Sequence, residues 1–125
     1  MEENSLIEII DFTKITLKVG KILSAEKVTN SDKLLKLQVG LGDKQIQILS
    51  GIAQWYDPTA LVGVKILVVT NLTPVKLRGE MSEGMLLCAK NEVENRYSLI
   101  RLEDGLATGS IVSWKILLEN YLWKN

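Results

Sequence analysis

The feature that most restricts this chain is strict alternation on either side of a glycine turn. In "LLKLQVGLGDKQIQIL", Leu35, Leu37 and Val39 alternate with polar neighbours, and Ile46 and Ile48 do so again after the turn. Strand side chains point to opposite faces at period two, so each run buries one face and wets the other. "LGDK" supplies the hairpin turn between them. Upstream, "ITLKVGKILSAEKV" opens the same way through Ile15, Leu17 and Val19, and the apolar parity then slips after Gly20 to Ile22. A glycine at a change of phase predicts a bulge or sharp bend. A long first strand bent at a glycine is what a small barrel needs to serve both its sheets. "VKILVVT" and "MLLCA" read as fourth and fifth strands. Before them, "YDPTALVG" reads as a short helix, with Asp57 as N-cap, Pro58 at the first helical position and Gly63 past the end.

Three meandering strands, a short helix between strands three and four, and two further strands is the order of an OB-fold. That is an all-β, five-stranded Greek-key barrel. The predicted division is an N-terminal arm over 1–11, the barrel over 12–89 and a C-terminal extension over 90–125. In the arm, "SLIEIIDF" fits a short helix or an extended segment. In the extension, "YSLIRL" predicts a strand and "EDGLATG" a turn region. Trp114, Leu117, Leu118, Tyr121 and Leu122 have amphipathic-helix spacing, while "SIVSWKILL" also fits a strand. The extension either caps the barrel or self-associates. A homodimer interface is the expectation, because aromatic and leucine patches are typical of one.

The 125 residues fit one domain. There is no apolar run of membrane-spanning length, and "MEENSLIEIIDF" is acidic where a signal peptide would be basic. The single cysteine, Cys88, excludes an internal disulfide and suits a reducing compartment. A soluble cytoplasmic protein is expected. There is no histidine. Its absence removes the commonest general base and metal ligand, together with every Ser-His or Cys-His nucleophile pair. No catalytic residue, metal site or cofactor is expected.

Net charge is zero, with 15 basic and 15 acidic residues. The distribution is uneven. From Phe12 to Gly79, ten cations face four anions, and local field rather than total charge attracts a polyanion. The stretch "NLTPVKLRGEMSEG" holds Pro74, Lys76, Arg78, Gly79, Ser82 and Gly84 between two buried strands. In an OB-fold this is the loop between strands four and five. It flanks the ligand face on strands two and three, opposite the loop "TNSDK". A turn alone would not need such a loop.

The segments "DFTKITLKVGKI", "NSDKLLKLQVGLG", "SGIAQWYDPTALVG" and "VTNLTPVKLRGEMSEGMLLCA" resemble the tRNA-binding domain that accompanies aminoacyl-tRNA synthetases. That domain occurs at the C-terminus of bacterial methionyl-tRNA synthetases, in archaeal beta subunits and as a free-standing bacterial dimer. The resemblance implies recognition of tRNA by shape, a homodimer built outside the barrel, and an auxiliary role beside methionyl-tRNA synthetase. It also maps binding residues onto Lys33, Asn71, Lys76, Arg78, Ser82 and Met85. A related secretion-chaperone branch implies a protein-binding alternative. That branch lacks the Glu-Gly-Met signature, which stands here in "SEGM".

Chemistry weighs these positions unequally. Arg78 can fork onto a phosphate through two parallel hydrogen bonds, which Lys76 cannot do. Lys33 fits the opposite lip or a merely solvated turn. Asn71 suits a cap on a strand end, Ser82 a small donor to RNA, and Met85 either the core or a base. Trp55 and Tyr56 are read as packing the barrel end, and Cys88 as a buried small hydrophobe.

Overall fold

β1 (Leu17–Lys27) is the strand around which the barrel is built. The computed structural model describes residues 5–114. The first half of β1 pairs antiparallel with β4 (Lys65–Val69), from Leu17 opposite Val69 to Lys21 opposite Lys65. Its second half pairs with β2 (Leu35–Gly40), from Lys21 opposite Gly40 to Lys27 opposite Leu35. β2 pairs in unbroken register with β3 (Gln45–Ser50). β7 (Met85–Leu86) pairs with β4, giving the order β3-β2-β1-β4-β7. The barrel closes where the Glu83 amide donates to the Gln47 carbonyl at 2.7 Å.

The predicted bulge is present, just beyond the glycine. The β1–β2 register shifts between Ile22 and Ser24. Gly20 itself serves another purpose, since a Cβ there would lie 2.6 Å from Val39 Cγ1 and 2.8 Å from Val68 Cγ2. Glycine is needed where β1 crosses closest to two core valines. Around it, Ile22, Leu35, Leu37, Val39, Ile48, Leu61, Ile66 and Val68 are fully buried. Each such side chain contributes roughly 1.5–3 kcal/mol of apolar burial. α2 (Pro58–Leu61) begins as the sequence predicts, with the Asp57 carboxylate accepting from Thr59 N at 3.1 Å, and it sends Leu61 into the core.

Two expectations need correction. The stretch from Asn71 to Gly84 is not a plain loop: it holds a hairpin of β5 (Val75–Leu77) and β6 (Glu80–Ser82). "MLLCA" is not one strand either. After β7 the chain leaves the barrel, and β8 (Cys88–Asn91) pairs with β9 (Arg96–Leu99). The reason lies on β4. Ile66 bridges to Arg101, and the Leu102 amide donates to the Lys65 carbonyl at 3.0 Å. The returning chain thus takes the pairing that "MLLCA" would have used.

β10 (Ile111–Val112) pairs with β1 at Lys18 and Leu17, a stretch that β2 leaves open. Gly109, at φ +91°, donates its amide to the Val19 carbonyl at 2.8 Å. The near part of the extension therefore caps the barrel, and Ile111 and Val112 of "SIV" are strand. Leu117, Leu118, Tyr121 and Leu122 of the amphipathic pattern lie outside the described residues. In the arm, α1 (Ile9–Phe12) is a single turn, and Leu6, Ile7, Ile9 and Ile10 are exposed. Among the described residues no helix is long and apolar enough to cross a membrane.

Candidate nucleic-acid interface

The β5–β6 hairpin turns in two residues, between Leu77 and its partner Glu80. Arg78 and Gly79 both have positive φ, +50° and +82°. That is the turn whose twist suits adjoining strands, and its first position is usually Asn, Asp or Gly. The left-handed conformation costs an ordinary L-residue about 1–2 kcal/mol. Arginine is a costly occupant, and backbone outliers of this kind gather at functional sites.

Below the tip, the hairpin is fastened at both feet. Ser82 is 2% exposed; its hydroxyl accepts from Leu49 N at 3.0 Å and donates to the Gly84 carbonyl at 2.9 Å. The Glu83 carboxylate accepts from Gln47 N at 2.8 Å. At the other foot, Asn71 Oδ1 accepts from Thr16 N at 2.8 Å and Asn71 Nδ2 donates to the Lys14 carbonyl at 2.6 Å. Gly84 lies so close to β4 that a Cβ would meet the Val69 carbonyl oxygen at 2.9 Å. The flank is tied to β2 by Lys36, whose Nζ lies 3.2 Å from Glu80 and 3.3 Å from Glu26. The hydrogen bonds that the ammonium donates to Glu80, then to Glu26, raise the Lys36 pKa, so it stays charged.

Ion pairs and hydrogen bonds engage three of the ten cations, while Lys18, Lys21, Lys27 and Lys44 elsewhere in the fold show no side-chain partner among the described residues. Lys14 pairs with Asp11, Lys36 with its two glutamates, and Lys65 donates to the Asp104 and Leu106 carbonyls. Lys76 and Arg78 on the hairpin, and Lys33 on the loop after β1, are exposed and carry no side-chain partner among the described residues. Lys33 is held by its backbone: its carbonyl accepts from Ala53 N at 3.0 Å, and Ser31 Oγ accepts from its amide at 3.4 Å. It lies three residues before Lys36, the residue that reaches Glu80 on the hairpin.

The six expected binding residues therefore separate. Lys33, Lys76 and Arg78 present free cations. Asn71 is exposed but spends its amide on Thr16 N and the Lys14 carbonyl, and the expectation that Ser82 reaches RNA meets a buried hydroxyl already making two bonds. Met85 is half-buried in β7 opposite Val69. Lys36, Gln38, Gln45 and Gln47, the wet half of the very alternation that defined β2 and β3, were not among the expected binding residues. Gln38 donates to Gln47 at 2.9 Å, Gln45 to Gln38 at 3.3 Å, and Gln47 to the Met81 carbonyl at 2.8 Å.

Trp55 and Tyr56 pack away from this face, as read from sequence. Trp55 meets Tyr97 edge-on at 4.9 Å, and the Tyr56 hydroxyl accepts from Leu99 N at 2.9 Å. Cys88 is half-buried against the core, and burial pushes its thiol pKa up.

Residues 17–111 match the family described as "Putative tRNA binding domain". Methionine–tRNA ligase of Halalkalibacterium halodurans is 44% identical over 111 residues, which cover 89% of the chain and 16% of that enzyme. The chain thus spans about a sixth of the curated relatives it matches. The crystal structure of a protein related to methionyl-tRNA synthetase from Pyrococcus horikoshii is 36% identical, with a TM-score of 0.83 over 87% of this chain and 99% of that one. The chaperone CsaA of Bacillus anthracis has the same fold, at 24% identity and a TM-score of 0.79 over 87% of this chain and 100% of that one.

Proposed function

The chain belongs to the tRNA-binding domain family, and from that premise we propose that it grips folded tRNA by shape, as a dimeric auxiliary of methionyl-tRNA synthetase in the cytoplasm. One observation carries the reading. The cation-bearing hairpin is pinned at both feet and strained at its tip, with Arg78 and Lys76 left without partners among the described residues. Preformed cations suit a preformed lattice of phosphates. Folded RNA offers phosphates and sugars to such a surface, since its deep groove is closed to side chains. The β2–β3 face offers amides and a lysine rather than stacking rings, which fits a grip blind to base identity.

Dimerisation suits this grip. Two basic faces on one tRNA would make the second contact intramolecular and far cheaper than the first. The exposed Leu6, Ile7, Ile9 and Ile10 supply apolar surface outside the barrel for it. Sedimentation of the full chain beside an Ile7→Glu, Ile10→Glu variant tests the arm: the wild type runs as a dimer and the variant as a monomer. Truncation near Glu103 is the poorer test, because it removes β10.

Binding to folded tRNA and to an unstructured RNA of equal length, over a salt series, tests the main reading. With four to six phosphates contacted, log affinity for tRNA falls with log salt at a slope of about −3 to −5. The unstructured RNA binds far more weakly. Equal weak binding to both defeats shape recognition and transfers the hairpin to a protein partner.

A further inference from the structure

Three side-chain amides on the outer face of β2 and β3 form a relay whose direction is fixed. Gln47 Nε2 donates to the Met81 carbonyl at 2.8 Å. A backbone carbonyl can only accept, so the Gln47 amide has one orientation. Its Oε1 accepts from Gln38 Nε2, and Gln38 Oε1 accepts in turn from Gln45 Nε2. The strand register builds this line: Gln38 and Gln47 are direct partners, and Gln45 is the diagonal neighbour. Glu80 closes the inner end, with Oε1 3.5 Å from Gln47 Nε2 and Oε2 on Lys36. Each relay N–H therefore points toward the hairpin. At the outer end stands Gln45, exposed, with its Oε1 unpartnered among the described residues. Hydrogen bonds in series polarise one another, and this series leaves the Gln45 oxygen at its open end, beside that amide's second N–H.

We propose that Gln45 reads the sugar: its Oε1 accepts a hydrogen bond from a 2′-hydroxyl of bound RNA. This rests on the tRNA-binding reading and deepens it. Phosphates only accept, and the free cations serve them. The Gln45 amide shows this oxygen beside its second N–H; a phosphate could meet only the N–H, whereas a hydroxyl, which both donates and accepts, can meet the oxygen too. In helical RNA the wide, shallow groove displays such a donor at every residue, the 2′-hydroxyl. The hairpin cations cannot tell RNA from another polyanion of the same shape, and this acceptor can.

The test compares a tRNA of natural sugars with a synthetic one carrying 2′-fluoro in place of the hydroxyl. Fluorine keeps the A-form sugar pucker and donates no hydrogen bond; melting curves verify that both RNAs fold alike. The full chain is to bind the natural tRNA about three- to tenfold more tightly, the value of one net hydrogen bond. Gln45→Ala is to bind both RNAs alike, at the wild type's affinity for the fluoro form, with an unchanged salt slope. Gln38→Leu, which removes the orienting partner and leaves Gln45 in place, is to keep only part of the preference. Equal wild-type affinity for the two RNAs overturns the proposal, as does a preference that survives Gln45→Ala. Failure to bind either RNA defeats the tRNA reading itself, and this proposal with it.

Discussion

β5–β6 and β8–β9 are both antiparallel hairpins carried on the same barrel, and they handle polar groups in opposite ways. In β8–β9 the groups other than the exposed Arg96 largely satisfy one another. Lys90 pairs with Glu92 and lies over the Tyr97 ring, and Asn91 Oδ1 accepts from Val93 N and Glu94 N. Its left-handed position is filled by Asn95 at φ +50°, a residue suited to it. Its inner face docks through Cys88, Tyr97 and Leu99. In β5–β6 the same backbone conformation is imposed on Arg78, and the cations at and near the tip have no partner among the described residues. One hairpin is built to pack and the other to present. On the proposed reading, the difference separates a stabilising extension from a binding device.

Substitutions can break that comparison, beginning at the buried foot of β5–β6. Ser82→Ala leaves Leu49 N and the Gly84 carbonyl without their partner, at a cost of about 1–3 kcal/mol. Denaturant midpoints read the loss, and tRNA affinity falls with it because the hairpin loosens. Tyr56→Phe is the counterpart on β8–β9. It removes the acceptor for Leu99 N, costs roughly 1 kcal/mol, and leaves tRNA affinity unchanged. A smaller and more telling change is Arg78→Asn. It relieves the left-handed strain and stabilises the fold by up to about 1 kcal/mol, while weakening tRNA binding. Opposite signs for stability and affinity are the mark of a residue kept for function.

The smallest effect concerns Lys36. Its pKa is raised by Glu80 and Glu26, so its stabilising contribution is complete below the ordinary lysine value of 10.5 and is lost as pH rises past the folded value. The hold on Glu80 is therefore flat across neutral pH. A pH titration of unfolding in wild type and Lys36→Met checks this: the two curves run parallel at neutral pH and converge only at the alkaline end.

Much of the fold was legible from local pattern. β2 and β3 follow from Leu35, Leu37, Val39, Ile46 and Ile48, and α2 from Asp57, Pro58 and Gly63, because pattern and capping act within a few residues. What stayed hidden depends on distant partners. Arg78–Gly79 is not the usual Asn-Gly turn, so the hairpin inside the loop gave no signal. The end of "MLLCA" is decided by Arg101 and Leu102, which compete for β4 from later in the chain. Ser82 looks like a surface donor until barrel closure places it over Leu49. The glutamine relay was within reach of the alternation, but strand register is needed to bring Gln38, Gln45 and Gln47 into line.

The most direct test of the contrast is the salt dependence of tRNA binding by wild type, Arg78→Ala and Arg96→Ala. Each variant loses one arginine, one from each hairpin. If β5–β6 is the grip, Arg78→Ala binds about tenfold more weakly, with a salt slope shallower by about one, and Arg96→Ala matches wild type in both. Equal losses in the two variants would reduce the grip to general surface charge, and no loss in Arg78→Ala would remove the hairpin from it.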